Sequence, residues 1–325
     1  MQNQRATAVG SANIALIKYW GNRDHVLRLP SNSSLSMNLA ALTTTTMVEF
    51  GGDLAADVVT IDDQEARGAA RERVVAHLDL VRTLAGLDLR AHVISHNNFP
   101  AGTGLASSAS AFAALTVAAC AAAGLSFSTD ELSRLARRGS GSACRSVPGG
   151  FVLWDACDDD DCSFGRTIAP ADHWDLRDVI AVVESAHKAT GSTEGHQLAD
   201  TSPLQAARVA STPERLARCQ SAVLSRDFSA LADVIEEDTL AMHAVMMTGT
   251  PPLLYWHPAT LALMQAIRAW RGDGLRVAFT IDAGPNVHCI CPADVASQVE
   301  RLVCSIPGVE RVLSSSVGNG AHLIG

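Results

Sequence analysis

The chain has 325 residues, of which 47% are hydrophobic and 18% are charged, and its formal net charge is −9. This composition excludes a disordered or fibrous protein and suits a globular enzyme long enough for two domains. The negative charge argues against nonspecific nucleic-acid binding, because that binding depends on basic patches.

Segments of strand and helix character are mixed along the whole chain. Strands are predicted at residues 43–50, 58–62, 89–95, 151–156 and 179–183 and within residues 277–291. Helices are predicted at residues 69–85, over the alanine-rich stretch after residue 104, and at residues 130–138, 204–224 and 228–247. This order predicts an α+β fold of two lobes, residues 1–180 and 181–325.

The alanine-rich stretch is long enough to test for a membrane span, because residues 91–129 contain no Asp, Glu, Lys or Arg. Alanine, serine and threonine dominate it, so its free energy of membrane insertion is weak. We therefore expect a buried core helix and no membrane partner.

The eight cysteines follow no zinc-binding spacing, and the N-terminus has no secretory signal. We expect reduced thiols in a cytoplasmic protein. The acidic run between Cys157 and Cys162 lacks the spacing of a calcium loop and predicts a solvated hairpin tip. The histidines form no metal-binding motif, so no metal-ligand residues are predicted.

Lysine is rare in this chain, which has Lys18 and Lys188 among its 25 basic residues. Lys18 lies in an apolar run, where its compact ammonium would suit a reacting oxygen. The alternative is a lysine at a strand end whose charge reaches water.

Three further segments combine small and polar residues in patterns that suit anions. Gly102 and Gly104 permit close backbone approach, and Ser107 and Ser108 follow at a helix start, which favours a phosphate site or a plain helix start. Residues 139–146 predict a short serine-rich helix whose Arg145 either binds a carboxylate or faces water.

The third segment, a turn at residues 191–193, also combines small and polar residues that suit an anion. Separately, Asp282 lies between an apolar strand and a Gly-Pro turn. Because aspartate is disfavoured in strands, Asp282 is predicted as a turn cap or a functional acid.

Taken together, six motifs resemble those of the mevalonate diphosphate decarboxylase family of the GHMP kinase superfamily, in the same order. They span residues 13–21, 30–36, 98–109, 139–146, 191–193 and 282–286. The resemblance implies a ribosomal-S5-like N-terminal lobe facing a C-terminal lobe across a deep cleft. A homodimer is the ordinary expectation.

The resemblance also implies an activity: ATP phosphorylates the 3-hydroxyl of a phosphorylated mevalonate, and phosphate and CO2 then leave. It implies that Asp282 acts on the hydroxyl, that Lys18 offsets charge on the phosphoryl group, and that Arg145 holds the carboxylate. It places ATP on Gly102, Gly104, Ser107 and Ser108, with Mg²⁺ implied by phosphoryl transfer. The implied substrate contacts are Tyr19, Asn22, Ser140, Ser142, Ser192 and Thr193.

One departure from the family concerns the substrate. Where the family usually reads Lys-Tyr-Trp-Gly-Lys, this chain ends the motif with Asn22. Loss of a charged contact would weaken binding of a diphosphate tail by about 1.5 to 3 kcal/mol, so mevalonate 5-phosphate is slightly favoured over mevalonate 5-diphosphate.

Two other functions are considered. A mevalonate-type kinase would stop after phosphorylation, but it has no need of Arg145 to anchor a carboxylate. A noncatalytic ligand sensor could keep the pocket without the base, whereas here Asp282 lies in an intact motif.

Overall fold

A computed structural model describes residues 4–51, 54–99, 107–184 and 191–325. Within these residues the strands are β1 (Gln4–Ile17), β2 (Asn22–Asp24), β3 (Leu29–Pro30), β4 (Ser34–Gly51), β5 (Val58–Ile61), β6 (Gln64–Glu65), β7 (Arg90–Asn97), β8 (Phe151–Trp154), β9 (Gly165–Ala169), β10 (Leu176–Val182), β11 (Ala278–Thr280), β12 (Val287–Pro292), β13 (Arg311–Ser316) and β14 (His322–Leu323). The helices are α1 (Gly68–Ala85), α2 (Ser107–Ala122), α3 (Thr129–Gly139), α4 (Ser192–Leu198), α5 (Gln205–Ser225), α6 (Phe228–Thr248), α7 (Pro258–Gly272) and α8 (Ala296–Cys304), with short 3₁₀ helices at Gly141–Arg145, Ala199–Thr201 and Ala293–Val295.

The first sheet is built on two long antiparallel strands, β1 and β4. Its strand order is β14-β1-β4-β7-β5-β6, with β8 pairing to the other end of β4 and β9 to β8. The length of β4 lets it pair with β1 on one side and with both β7 and β8 on the other. The last strand, β14, comes from the end of the described chain and returns to this sheet.

Helix α2 packs across β1 and β4 and is buried for most of its length. The approach is close: a Cβ added to Gly10 of β1 would lie 2.5 Å from the Ser110 carbonyl oxygen. Small residues on both elements permit this contact, which confirms the predicted core helix. In the part of the chain that the structure describes, no helix has both the length and the apolar character to cross a bilayer.

The second sheet has the antiparallel strand order β11-β12-β10-β13. Helices α7 and α8 cover its outer face, where Phe279 and Cys289 are buried. Helices α5 and α6 lie between the sheets, and one apolar core joins Leu35 of β4, Ile235 of α6 and Ile290 of β12. Residues from both sheets therefore share a single interior.

The predicted mixture of helices and strands is confirmed, and so is the α+β fold class. Predicted helices at residues 69–85, 204–224 and 228–247 agree with α1, α5 and α6 within a residue or so at each end. The sequence did not indicate α7, α8 or β14. The stretch at residues 277–291 divides into β11 and β12, and Asp282 lies in the turn between them.

The cysteine prediction is wrong for one pair, because Cys157 and Cys162 form a disulfide. The other described cysteines are free thiols. The acidic run between the pair lies in the connection of the antiparallel strands β8 and β9 and is largely exposed, which confirms the predicted solvated tip. Its aspartates also form ion pairs: Asp158 with Arg23, Asp160 with Arg137, and Asp161 with Arg134. Arg137 is fully buried, so this loop is attached to α3.

Candidate active site

The predicted lysine and aspartate meet where strands of the two sheets end. Lys18 directly follows β1, and its Nζ lies 2.5 Å from Asp282 Oδ1 in the turn after β11. The Lys18 side chain is 1% exposed and that of Asp282 is 26% exposed, so the pair faces solvent on the carboxylate side. A lysine whose charge reaches water is therefore the wrong alternative for Lys18.

Burial lowers the pKa of Lys18, while Asp282 and Asp238 act in the opposite direction by favouring the charged ammonium. The nearby Arg145 guanidinium also lowers the pKa of Lys18. Lys18 is thus a desolvated cation in contact with a carboxylate, an arrangement whose charge acts strongly on an adjacent anion.

The backbone of Lys18 is fixed by side chains that sequence analysis missed. Its N–H donates to Asp238 Oδ2 at 2.6 Å, and its carbonyl accepts from Asn32 Nδ2 and from Arg208 Nη2, each at 2.8 Å. Arg215 donates Nε to the other Asp238 oxygen at 2.8 Å. The sequence signal for these contacts was the presence of charged residues at buried positions of α5 and α6. The Lys18 backbone that they contact lies about two hundred residues away in the chain.

Arg145 ends the 3₁₀ helix Gly141–Arg145 and is 2% exposed, so the water-facing alternative is wrong. Its Nη1 donates to Ser34 Oγ at 2.6 Å and its Nη2 to Asn13 Oδ1 at 3.5 Å. Its Nε is buried without a hydrogen-bond partner. No carboxylate of the described residues lies within 4 Å of this guanidinium, which is typical of a site for an anion supplied by a ligand.

The serine-rich segment lies beside the start of α2. Ser140 Oγ is 3.2 Å from Ser108 Oγ and 3.4 Å from Ser142 Oγ. The backbone must come close to Tyr19, since a Cβ added to Gly141 would lie 2.5 Å from the Tyr19 hydroxyl oxygen. The glycine in this motif therefore brings the serine hydroxyls toward Tyr19.

Tyr19 and Asn22 contact each other directly, because the Tyr19 hydroxyl donates to Asn22 Oδ1. The Tyr19 ring also packs on His196, with 4.1 Å between centroids, and His196 Nδ1 accepts from the Gly21 N–H at 3.0 Å. Burial and the positive charge of Arg28 lower the pKa of His196 to about 3, so its ring is neutral. His196 was missed because a lone histidine carries no motif.

Several predicted residues lie outside what the structure describes. Gly102 and Gly104 fall in residues 100–106, and Lys188 falls in residues 185–190, all outside the described ranges. Ser107 and Ser108 are the first two residues of α2, and Ser192 and Thr193 begin α4. The described residues contain no group of three or more His, Cys, Asp or Glu side chains that could hold a metal ion.

The two sheets, with Lys18 and Asp282 at their junction, define a two-lobed α+β protein of the GHMP kinase type. A diphosphomevalonate decarboxylase-like N-terminal domain model matches residues 10–165, and a mevalonate 5-diphosphate decarboxylase C-terminal domain model matches residues 178–322. The chain therefore belongs to the diphosphomevalonate decarboxylase family.

Similar proteins carry two different names. Diphosphomevalonate decarboxylase of Aspergillus fumigatus is 39% identical over 87% of this chain and 75% of its own length. Phosphomevalonate decarboxylase of Haloferax volcanii is 37% identical over 94% of each chain. A solved structure described as MDDEF in complex with MVAPP, AMPPCP and magnesium superposes with a TM-score of 0.93, at 35% identity and 98% coverage of both chains.

Proposed function

We propose that this chain catalyses the ATP-dependent decarboxylation of mevalonate 5-diphosphate to isopentenyl diphosphate, with ADP, phosphate and CO2 as the other products. The observation that carries this proposal is the contact of buried Lys18 with Asp282 near Arg145, a buried arginine to which the described residues bring no carboxylate within 4 Å. The family models and the name of the Aspergillus relative support the diphosphate as substrate.

Asp282 is proposed to orient the tertiary 3-hydroxyl and to accept its proton as the hydroxyl oxygen attacks the γ-phosphorus of ATP. The 2.5 Å contact with Lys18 fixes the direction of the carboxylate. Lys18 in turn places a positive charge where negative charge gathers on the transferred phosphoryl group. The contacts from Asp238 and Arg208 to the Lys18 backbone hold this charge in place.

Arg145 is proposed to bind the substrate carboxylate until it leaves as CO2. Its guanidinium already donates to Ser34 and retains a buried Nε–H for a ligand oxygen. Fixing the carboxylate favours loss of phosphate and cleavage of the carbon–carbon bond in one orientation. This role separates a decarboxylase from a kinase that stops after phosphorylation.

The start of α2 is proposed to receive the ATP phosphates, because the N-terminus of a helix and the hydroxyls of Ser107 and Ser108 suit an anion. Gly102 and Gly104 complete this motif in the sequence. When bound, Mg²⁺ would offset the charge of the phosphates. AMPPCP and magnesium in the similar structure support both cofactors.

Six further residues are proposed to contact the polar groups of the substrate. They are Tyr19, Asn22, Ser140, Ser142, Ser192 and Thr193. A homodimer, a cytoplasmic location and a lobe boundary near residue 180 stay predictions.

The test compares CO2 and ADP release from the purified protein with ATP and either mevalonate 5-diphosphate or mevalonate 5-phosphate. We expect CO2 and ADP in equal amounts and a higher kcat/KM with the diphosphate. The second candidate substrate is the monophosphate, which the neutral Asn22 and the Haloferax relative favour. ADP without CO2 from either substrate would identify a kinase and contradict the proposal.

A further inference from the structure

Three arginines lie near one another at the end of α3 and form what we name the arginine cluster: Arg73, Arg138 and Arg28, the last of which is also close to Tyr19. They come from separate elements, since Arg28 lies between β2 and β3, Arg73 in α1, and Arg138 near the end of α3. The tertiary fold brings them together, because 110 residues separate Arg28 from Arg138.

Hydrogen bonds to consecutive carbonyls fix two members of the arginine cluster. Arg28 Nε donates to the Arg138 carbonyl at 3.0 Å, and Arg73 Nη2 donates to the Gly139 carbonyl at 3.2 Å. The next residue is Ser140, whose hydroxyl lies between those of Ser108 and Ser142. The cluster therefore adjoins the serine-rich segment of the site.

The described residues provide no acidic partner for the cluster. Among the residues that the structure describes, no carboxylate oxygen lies within 4 Å of Arg28, Arg73 or Arg138, whereas the buried Arg137 and Arg215 each pair with an aspartate. Burial lowers the pKa of Arg28, and Arg138 lowers it further. Such uncompensated charge favours a ligand with several negative charges.

Arg28 is held in an unusual backbone conformation. Its φ is 54°, in the left-handed region that costs a residue with a side chain some free energy and that clusters at functional sites. Its hairpin also carries Asn22, which pairs with Pro30 and accepts a hydrogen bond from Tyr19. Asn22 at the start of the hairpin and Arg28 in its turn are therefore both close to Tyr19.

We propose that Arg28 binds the terminal phosphate of the diphosphate tail and supplies the positive charge that the neutral Asn22 does not. The proposal rests on the proposed function, since it assigns one residue to its substrate. Arg28 is then a specificity-determining residue, because a monophosphate has no second phosphate to reach it.

The experiment measures kcat/KM for mevalonate 5-diphosphate and mevalonate 5-phosphate in wild type, Arg28→Asn, Arg28→Lys and the double variant Asn22→Lys/Arg28→Asn. Asparagine tolerates the left-handed conformation, so Arg28→Asn removes the charge without adding backbone strain. Arg301→Ala is the control, because Arg301 is an exposed arginine of α8 remote from Tyr19. Melting temperatures show that each variant is folded.

We expect Arg28→Asn to lower kcat/KM for the diphosphate by about tenfold to a hundredfold, mainly through KM, and for the monophosphate by less than about threefold. Arg28→Lys and the double variant should each recover most of the loss. Arg301→Ala should change neither value.

Two results would overturn the inference in different ways. A wild type that prefers the diphosphate, with the same substrate ratio in Arg28→Asn, would reject the role of Arg28 alone. A wild type that prefers the monophosphate would reject the proposed substrate and this inference with it.

Discussion

Arginines around the site occur in two settings, and the settings have different consequences. Beneath Lys18, Arg215 pairs with Asp238, so its charge is compensated within the protein, and Arg208 donates to the carbonyl oxygens of Lys18 and Trp20. Facing the site, Arg145 and the arginine cluster have no carboxylate within 4 Å in the described part of the chain. The first group stabilises the position of Lys18, and the second leaves positive charge for an anionic ligand.

The strongest test of the ligand-facing region is Asp282→Asn. We expect kcat to fall by about a thousandfold to ten-thousandfold, because the amide cannot accept the hydroxyl proton. ATP binding, measured by calorimetry, should remain within about threefold of wild type. Asp294→Asn, which changes an exposed aspartate paired with Arg276, serves as the control. Activity above a tenth of wild type would contradict the role of Asp282.

The compensated region is tested by Asp238→Ala. Removing this carboxylate leaves the Arg215 charge and the Lys18 N–H buried without their partner. We expect the free energy of unfolding, measured in urea, to fall by about 3 to 5 kcal/mol. Glu237→Ala breaks an exposed pair with Arg218 and should cost less than about 1 kcal/mol. Equal losses of unfolding free energy in Asp238→Ala and Glu237→Ala would contradict a special role of the buried Asp238 contacts.

In contrast to Asp238→Ala, Arg145→Gln should affect activity much more than stability. We expect kcat/KM to fall by about a hundredfold, because the substrate carboxylate loses a charged partner. The free energy of unfolding should fall by less than about 1 kcal/mol, because no carboxylate of the described residues loses an ion-pair partner. Exposed Arg311→Gln is the control for both measurements. A large stability loss with unchanged kinetics would place Arg145 in the structural group.

A smaller effect is expected at His77, which lies near the arginine cluster and bonds to Thr116 at 2.8 Å. Burial and the charges of Arg138 and Arg28 lower the pKa of His77 from 6.5 to about 4. Between these values the unfolded chain binds a proton that the folded protein does not, so stability decreases as pH falls. The loss from this residue between pH 7 and pH 5 is about 2 kcal/mol.

His77→Gln should remove that part of the pH dependence, measured as the free energy of unfolding at both pH values. The exposed His322→Gln should leave the pH dependence as it is in wild type. The same slope in His77→Gln and wild type would show that His77 does not stay neutral in the folded protein.

Sequence motifs indicated the residues of the site but not the charges that surround them. Lys18, Arg145 and Asp282 stood out because each was an unusual residue type for its surroundings, and the fold places them close together. Asp238 and Arg28 could not be assigned, because their roles depend on contacts between residues far apart in the chain. Long-range packing determines such contacts, and local sequence does not show which residues are partners.

Strand β14 has a consequence for how the halves of the molecule are joined. The chain leaves the first sheet after β9, builds the second sheet, and returns after β13 to pair Leu323 with Ala8. Two covalent crossings therefore connect the sheets, so the sheets cannot separate as freely as two bodies joined by one linker. Any change in the spacing between Lys18 and Asp282 that moves the sheets as bodies must bend both crossings at once, so the two connections would act together as a hinge.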